Sequence, residues 1–151
     1  MARPDTLVIR PIGPDDAAEW RRLWRAYLAF YETELPDSVY DTTFARLLSG
    51  RAGEFRGFLA LLDGVPVGLT HYLFHRTCWS EANTCYLQDL YAHPEVRGLG
   101  IGRALIEAVY AAADTEGAAS VYWLTQEFNA TARRLYDRIG VQTPFIRYKR
   151  N

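Results

Sequence analysis

Two hydrophobic periods alternate along this chain, and their succession outlines its elements. The stretch "TLVIR" (residues 6–10) reads as a short strand, closed by Pro11 and Gly13. In "PDDAAEWRRLWRAYLAFY" a helix start follows, with Pro14, Asp15 and Asp16 in its first turn. Trp20, Leu23, Trp24, Tyr27, Leu28 and Tyr31 then recur at helical spacing and predict one buried stripe. The loop "ETELPDSVYD" leads to a second, short helix over "TTFARLLSG".

The middle of the chain changes to strand character. "FRGFLALLDGVPVGLTHYLFHR" reads as two strands joined by an Asp63-Gly64 turn, and "TCYLQDLYA" as a third, ending at His93-Pro94. Beyond a glycine-rich loop, Ile101, Ala104, Leu105, Ala108, Val109 and Ala112 put small apolar side chains on one helix face, which Gly117 stops. "ASVYWLTQ" reads as a buried strand. Asn129 caps a helix over "ATARRLYDRIG" with Ala132, Leu135, Tyr136 and Ile139 inward, and "FIRYK" reads as a last strand. The order β, α, α, three strands in a meander, then α, β, α, β predicts an α+β chain: a mixed sheet with helices on both faces. There is no internal repeat, so residues 1–151 read as one domain.

Composition limits the function classes. The 151 residues are 49% hydrophobic, which builds a core without disulfide or metal staples. With 17 Lys+Arg against 18 Asp+Glu the net charge is −1, so no nucleic-acid partner is expected. The N-terminus "MARPDTLVIR" has no apolar leader and no apolar run nears membrane-spanning length, so no membrane partner and a cytoplasmic location are expected. Cys78 and Cys85 have no metal-site spacing and read as free thiols rather than a hairpin bridge. His71 and His75, four apart on one strand, share a face and read as structural rather than as a metal pair.

The chemistry concentrates in "EVRGLGIGRALI". Glycine costs roughly 0.5–1 kcal/mol in a regular element, so Gly98, Gly100 and Gly102 need a reason. Close approach of backbone N–H groups to a phosphate at a helix start supplies one. A P-loop would follow its glycine with Lys-Ser/Thr, whereas Gly102 precedes Arg103 and Ala104. A dinucleotide loop would need a third glycine where Arg103 stands and an early βαβ unit, with only Glu127 to imitate the ribose acid.

Arg97-Gly98-Leu99-Gly100-Ile101-Gly102 instead fits Arg/Gln-x-x-Gly-x-Gly/Ala, and resembles the acetyl-CoA loop of the GNAT superfamily of N-acetyltransferases. The resemblance runs from "YLQDLYAHPEVRGLGIGRALI" through "YWLTQEFNATARRLYDRIG" to "PFIRYK", essentially the whole chain. Two branches look most similar, the yeast Hpa-type histone/polyamine acetyltransferases and the spermidine/spermine N-acetyltransferases. The resemblance implies the GNAT fold, with a mixed, mostly antiparallel sheet, an acetyl-CoA donor and direct acetyl transfer to a primary amine. Amides from Val96 to Arg103 would cradle the pyrophosphate, with Arg97 and Arg103 adding charge. Leu90, Tyr91 and Ala92 would flank the pantetheine arm, where a backbone N–H stabilises the developing oxyanion. Asn129, Arg133 and Tyr136 complete the expected cofactor contacts.

The resemblance also assigns proton chemistry. Tyr136 sits where the family has its general acid; the alternative is a core tyrosine on its helix's inner face. The spermidine/spermine enzymes carry Glu-Asp where this chain has Gln88-Asp89, and Gln88 cannot accept a proton. Asp89, Glu32, His71 or a water chain are then the candidate bases. Cys85 is a conceivable acyl carrier, although direct transfer is the family's habit. "FYETELPDSVYD" gathers Glu32, Glu34, Asp37 and Asp41 with Tyr31 and Tyr40, predicting an acidic, aromatic rim for a cationic amine, polyamine-like or lysine-like. Glu32 and Trp79 match residues of the polyamine enzymes, so the expected acceptor site is Tyr31, Glu32, Trp79, Gln88 and Asp89. Two alternatives stay open: a protein or peptide lysine acetyltransferase, and a non-catalytic acetyl-CoA-binding module. Relatives that dimerise through terminal strands make a homodimer the expected assembly.

Overall fold

The computed structural model describes residues 6–151; the first part of the N-terminal stretch read above as lacking a leader, residues 1–5, lies outside them. Five strands form one sheet in the order β1-β2-β3-β4-β5: Leu7–Pro11, Arg56–Leu62, Val65–His75, Thr84–Ala92 and Val121–Tyr122. The first four are antiparallel neighbours and β5 runs parallel to β4, which is the expected mixed, mostly antiparallel arrangement. The β2–β3 hairpin turns on Asp63 and Gly64, both with positive φ (51° and 82°), the backbone that a two-residue hairpin turn demands.

Helices cover both faces. On one face α1 (Ala17–Phe30) and α2 (Asp37–Leu48) pack Trp20, Leu23, Trp24, Leu28, Tyr40 and Leu47 against Leu59, Leu69 and Tyr91. On the other, α3 (Ile101–Glu116) sets Ile106 and Val109 against Tyr72, Phe74, Cys85 and Leu87. Fully burying each such side chain is worth about 1.5–3 kcal/mol, which fixes both helices on the sheet. The helix α4 (Ala130–Ile139) leans on α3, with the Tyr110 hydroxyl donating to the Ile139 carbonyl at 2.7 Å. No helix among the described residues is long and apolar enough to cross a membrane.

Three sequence expectations need correction. The strand over 119–126 forms a ladder only at Val121–Tyr122, because the chain turns away from β4 beyond that point. "FIRYK" forms no strand: residues 141–151 are exposed throughout, and the two-residue edge of β5 is too short to template another strand. The second helix starts earlier, at Asp37, directly after Pro36.

Candidate active site

The glycine loop opens α3. Gly98 and Gly100 take φ values of 85° and 78°, the left-handed backbone that only glycine adopts cheaply. Gly102 is different: a side chain there would meet Leu135 at an ordinary contact distance of 3.4 Å, so neither backbone nor packing demands glycine. The one-turn helix Pro94–Val96 uses the Val96 and Arg97 N–H groups internally, on the carbonyls of His93 and Pro94. The expected amide cradle is therefore shorter than 96–103. From Gly98 to Arg103 the N–H groups have no partner among the described residues, and the first turn of α3 carries no acidic side chain. An unsatisfied run of donors at a helix start suits a diphosphate. Arg97 and Arg103 are exposed beside it, Arg103 at 3.5 Å from Glu107.

The cleft itself comes from a single irregularity in β4. His71 pairs with Asp89 and Tyr72 with Leu87, so Gln88 is an extra residue with no partner on β3. In this bulge the alternation of faces slips by one. Before it, Cys85 and Leu87 face α3; after it, Tyr91 belongs to the α1 layer and Asp89 reaches His71. The same point is where β5 leaves: β4 pairs β5 at Cys85 and Tyr86 and no further. Between the diverging chains lies an open cleft lined by Tyr27, Tyr31, Leu87, Gln88, Leu90, Ile106, Trp123, Leu124, Thr125 and Tyr136. Past the bulge, β4 has no β5 ladder, leaving the backbone of Leu90, Tyr91 and Ala92 open on that side.

Tyr136 projects from the inner face of α4 into this cleft, its ring edge-on to Trp123 at 5.5 Å. Burial, and to a smaller degree the nearby Tyr31, push its phenol above the ordinary tyrosine value, so it carries its proton at neutral pH. On the opposite wall Tyr27 stands near Asp89 and Tyr31; burial first, then the Asp89 charge, raise its pKa strongly. Asp89 also accepts from His71 Nδ1 at 3.0 Å, and Trp20 Nε1 donates to His71 Nε2 at 2.9 Å.

Several expected residues fall elsewhere. Asn129 caps α4, its side chain accepting from the Ala132 N–H at 3.5 Å, while Arg133 donates to the Glu127 carbonyl and to Gln142 and so braces the loop before α4. Trp79 stands 90% exposed in the turn between β3 and β4, outside the cleft lining. Glu32 sits exposed on a turn with φ 54°, also outside it, although its neighbour Tyr31 lines the wall. The acidic rim is half neutralised, since Arg21 binds Asp37 at 2.7 Å and Asp41 at 3.1 Å. Tyr40 is buried beneath Arg21 and is no part of a rim. Cys78 and Cys85 are free, and burial pushes the Cys85 thiol up to about 11, against a nucleophilic role. His71 and His75 bind different partners, His75 bridging the Arg76 carbonyl and the Tyr122 hydroxyl. Tyr27, Trp123 and Thr125 were not singled out for the site from the sequence; Tyr27 was legible only as part of a helix stripe.

Comparison with known proteins agrees with this geometry. The model of the "Acetyltransferase (GNAT) family" matches residues 20–141. The chain is 39% identical over 149 residues to the D-amino-acid N-acetyltransferase HPA3 of Saccharomyces cerevisiae, spanning 97% of this chain and 92% of that protein. Thialysine N-epsilon-acetyltransferase of Bos taurus is 36% identical over 76 residues, half of this chain and 44% of that one. Among solved structures, aminoglycoside N-acetyltransferase AAC(6')-Iy in complex with CoA superposes with a TM-score of 0.85 over 100% of this chain and 98% of that one, at 18% identity, a likeness of fold. The fold is thus shared well beyond sequence similarity, and the chain belongs to the GNAT acetyltransferase family, as an acetyl-CoA-dependent N-acetyltransferase.

Proposed function

We propose that the chain acetylates the primary amine of a small, lysine-like or amino-acid-like molecule in the cleft between β4 and the departing β5. The observation that supports this reading is one cleft lined by both a protonated Tyr136 and Tyr27, with Asp89 behind Tyr27 and bonded to His71. Acetyl-CoA supplies an activated acyl thioester. The free N–H groups from Gly98 to Arg103 hold its diphosphate, helped by the positive end of α3 and by Arg97 and Arg103. The open backbone of Leu90, Tyr91 and Ala92 would flank the pantetheine arm, where an N–H would polarise the acyl oxygen.

Proton handling divides between the two walls. An ammonium is no nucleophile, so the acceptor must first lose a proton. Asp89 takes it through Tyr27, whose hydroxyl receives a proton from the amine as it passes its own to the carboxylate. Gln88, at the bulge, binds the acceptor without taking a proton. Tyr136 delivers a proton to the departing thiolate. Glu32 and Tyr31 shape the entrance, with Glu32 attracting cations from solvent. The half-neutralised rim weakens the case for a polyamine, and the names of the relatives in yeast and cattle support an amino-acid type of acceptor.

Thiol release from acetyl-CoA, measured with D- and L-amino acids, thialysine, spermidine, an aminoglycoside and a lysine peptide, tests the reading. Turnover with free amino acids or thialysine is expected. Turnover with spermidine alone or the peptide alone would overturn the acceptor class, and cofactor binding with no release for any amine would favour a non-catalytic module. Two exposed features support a cytoplasmic homodimer: the free Cys78 thiol suits a reducing compartment, and the uncovered Phe145, Ile146 and Tyr148 suit a second copy. Sedimentation showing a monomer at high concentration would refute the dimer.

A further inference from the structure

Under the sheet, away from solvent, a chain of side chains leads to Asp89. Trp20 is 1% exposed and His71 2%. The indole Nε1 of Trp20 has only a hydrogen to offer, so His71 Nε2, 2.9 Å away, must be an acceptor. A neutral imidazole carries one N–H, which therefore sits on Nδ1 and donates to Asp89 Oδ2 at 3.0 Å. The alternative tautomer would break the indole bond and turn the Nδ1 lone pair onto the carboxylate. The ring has no freedom to avoid the choice: the edge of Trp24 packs at 4.8 Å between ring centroids, and Gly57 on β2 is close enough that a side chain there would reach within 3.3 Å of the imidazole. Asp89 is the charged side chain bonded to this imidazole among the described residues, and Tyr27 is the titratable group beyond it.

We propose that His71 is a positioning residue for amine deprotonation: Trp20 locks its Nδ1–H tautomer, and that N–H holds the Asp89 carboxylate beside Tyr27, which lines the cleft. This rests on the reading of Asp89 as the proton acceptor. With one carboxylate oxygen taken by His71, Asp89 cannot rotate freely, and Tyr27 finds an acceptor in a fixed place. The bulge at Gln88 is what brings Asp89 onto this face, so register, histidine tautomer and base form one device. Without the Nδ1 donor the carboxylate would lose its aim while the glycine loop at 98–103, which shares no bond with His71 or Asp89, stayed intact.

Histidine side-chain nitrogen NMR at neutral pH reads the tautomer directly, with His71 assigned against His71→Asn. The wild-type protein is expected to show Nδ1–H at His71, and Trp20→Phe, which keeps an aromatic ring but no donor, to lose that single-tautomer signature. An Nε2–H signature in the wild type would overturn the proposal without any variant. In kinetics, His71→Leu is expected to lower kcat roughly tenfold to a hundredfold with the KM for acetyl-CoA unchanged. His71→Asn, whose amide stands near Nδ1, is expected to recover most of the loss; equal damage from both would refute the donor role. Asp89→Asn separates the two readings: full activity there sinks Asp89 as the base, whereas an inactive Asp89→Asn beside an unlocked His71 sinks only the positioning device.

Discussion

Replacing Tyr136 by phenylalanine separates its proposed catalytic role from its place in the core. The ring packs edge-on against Trp123 and lies with Leu135 and Ile139 against the α3 layer, and phenylalanine preserves all of that. The hydroxyl has no hydrogen-bond partner among the described residues, so removing it orphans nothing, and the expected change in folding stability is within about 0.5 kcal/mol. The rate is another matter. A positioned general acid is typically worth about 10²–10⁴-fold. A thiolate leaves more readily than an alkoxide, which puts the expectation at the lower end, about 10²-fold, or roughly 2.7 kcal/mol in the barrier. Because burial raises the phenol's pKa, its proton is retained as pH rises toward 9, so the acid's contribution persists there in the wild type. The assay is single-turnover acetyl transfer at saturating acetyl-CoA, with calorimetric titration of CoA and a urea midpoint measured alongside. Unchanged CoA affinity and stability with a slow chemical step is the predicted pattern. A single-turnover rate within about twofold of wild type would refute the assignment and return Tyr136 to the core.

Gly100→Ala forces a side chain onto left-handed backbone, so it is expected to cost roughly 1–2 kcal/mol by urea denaturation and to weaken CoA binding in calorimetry. Gly102→Ala, at ordinary contact distance from Leu135 and with about 1 kcal/mol of helix propensity gained, is expected to fold as well as wild type and keep CoA affinity. Cys85, buried with a thiol near 11, is expected to resist alkylation at pH 8 while exposed Cys78 reacts, as read by intact mass after iodoacetamide; rapid loss of Cys85 would reopen an acyl-carrier role. Tyr27, Tyr72 and Tyr136 all have raised pKa values, so above pH 10 the unfolded chain holds fewer protons than the folded one and stability falls as pH rises. Urea midpoints from pH 8 to 11 should show that decline, with Tyr27→Phe flattening it.

Much of the architecture was legible locally. Asp63-Gly64 announces its hairpin, "TCYLQDLYA" coincides with β4 to the residue, and the glycine spacing at 98–102 marks the start of α3. What stayed hidden depends on partners distant in sequence. "ASVYWLTQ" has strand composition over eight residues, yet only two form a ladder, because β4 turns its edge away. Tyr40 and Asp41 look like a rim in one dimension, and only the return of α2 onto Arg21 shows one buried and the other paired. His71 had no local sign of its indole partner 51 residues earlier.

The bulge explains why a site exists here at all. A strict alternation through "CYLQDLYA" would put Asp89 on the face of Cys85 and Leu87, among the apolar side chains of α3, where a carboxylate has no partner. One extra residue moves Asp89 to the α1 face, and there His71 supplies a donor, with Tyr27 close by. Bulges increase local twist, and here β5 pairs with β4 only before the bulge, at Cys85 and Tyr86, so the sheet opens beyond it. Opening exposes strand backbone on one side of the gap, and the α3 start, with its six free N–H groups, stands at the end of that backbone. The unpaired Gln88 costs the sheet a ladder position, a local loss that the Asp89–His71–Trp20 bonds offset on the buried side. The proposed base, the cleft and the proposed cofactor track therefore meet at one register slip, which leaves no mark in hydrophobic periodicity except a glutamine and an aspartate side by side in a strand.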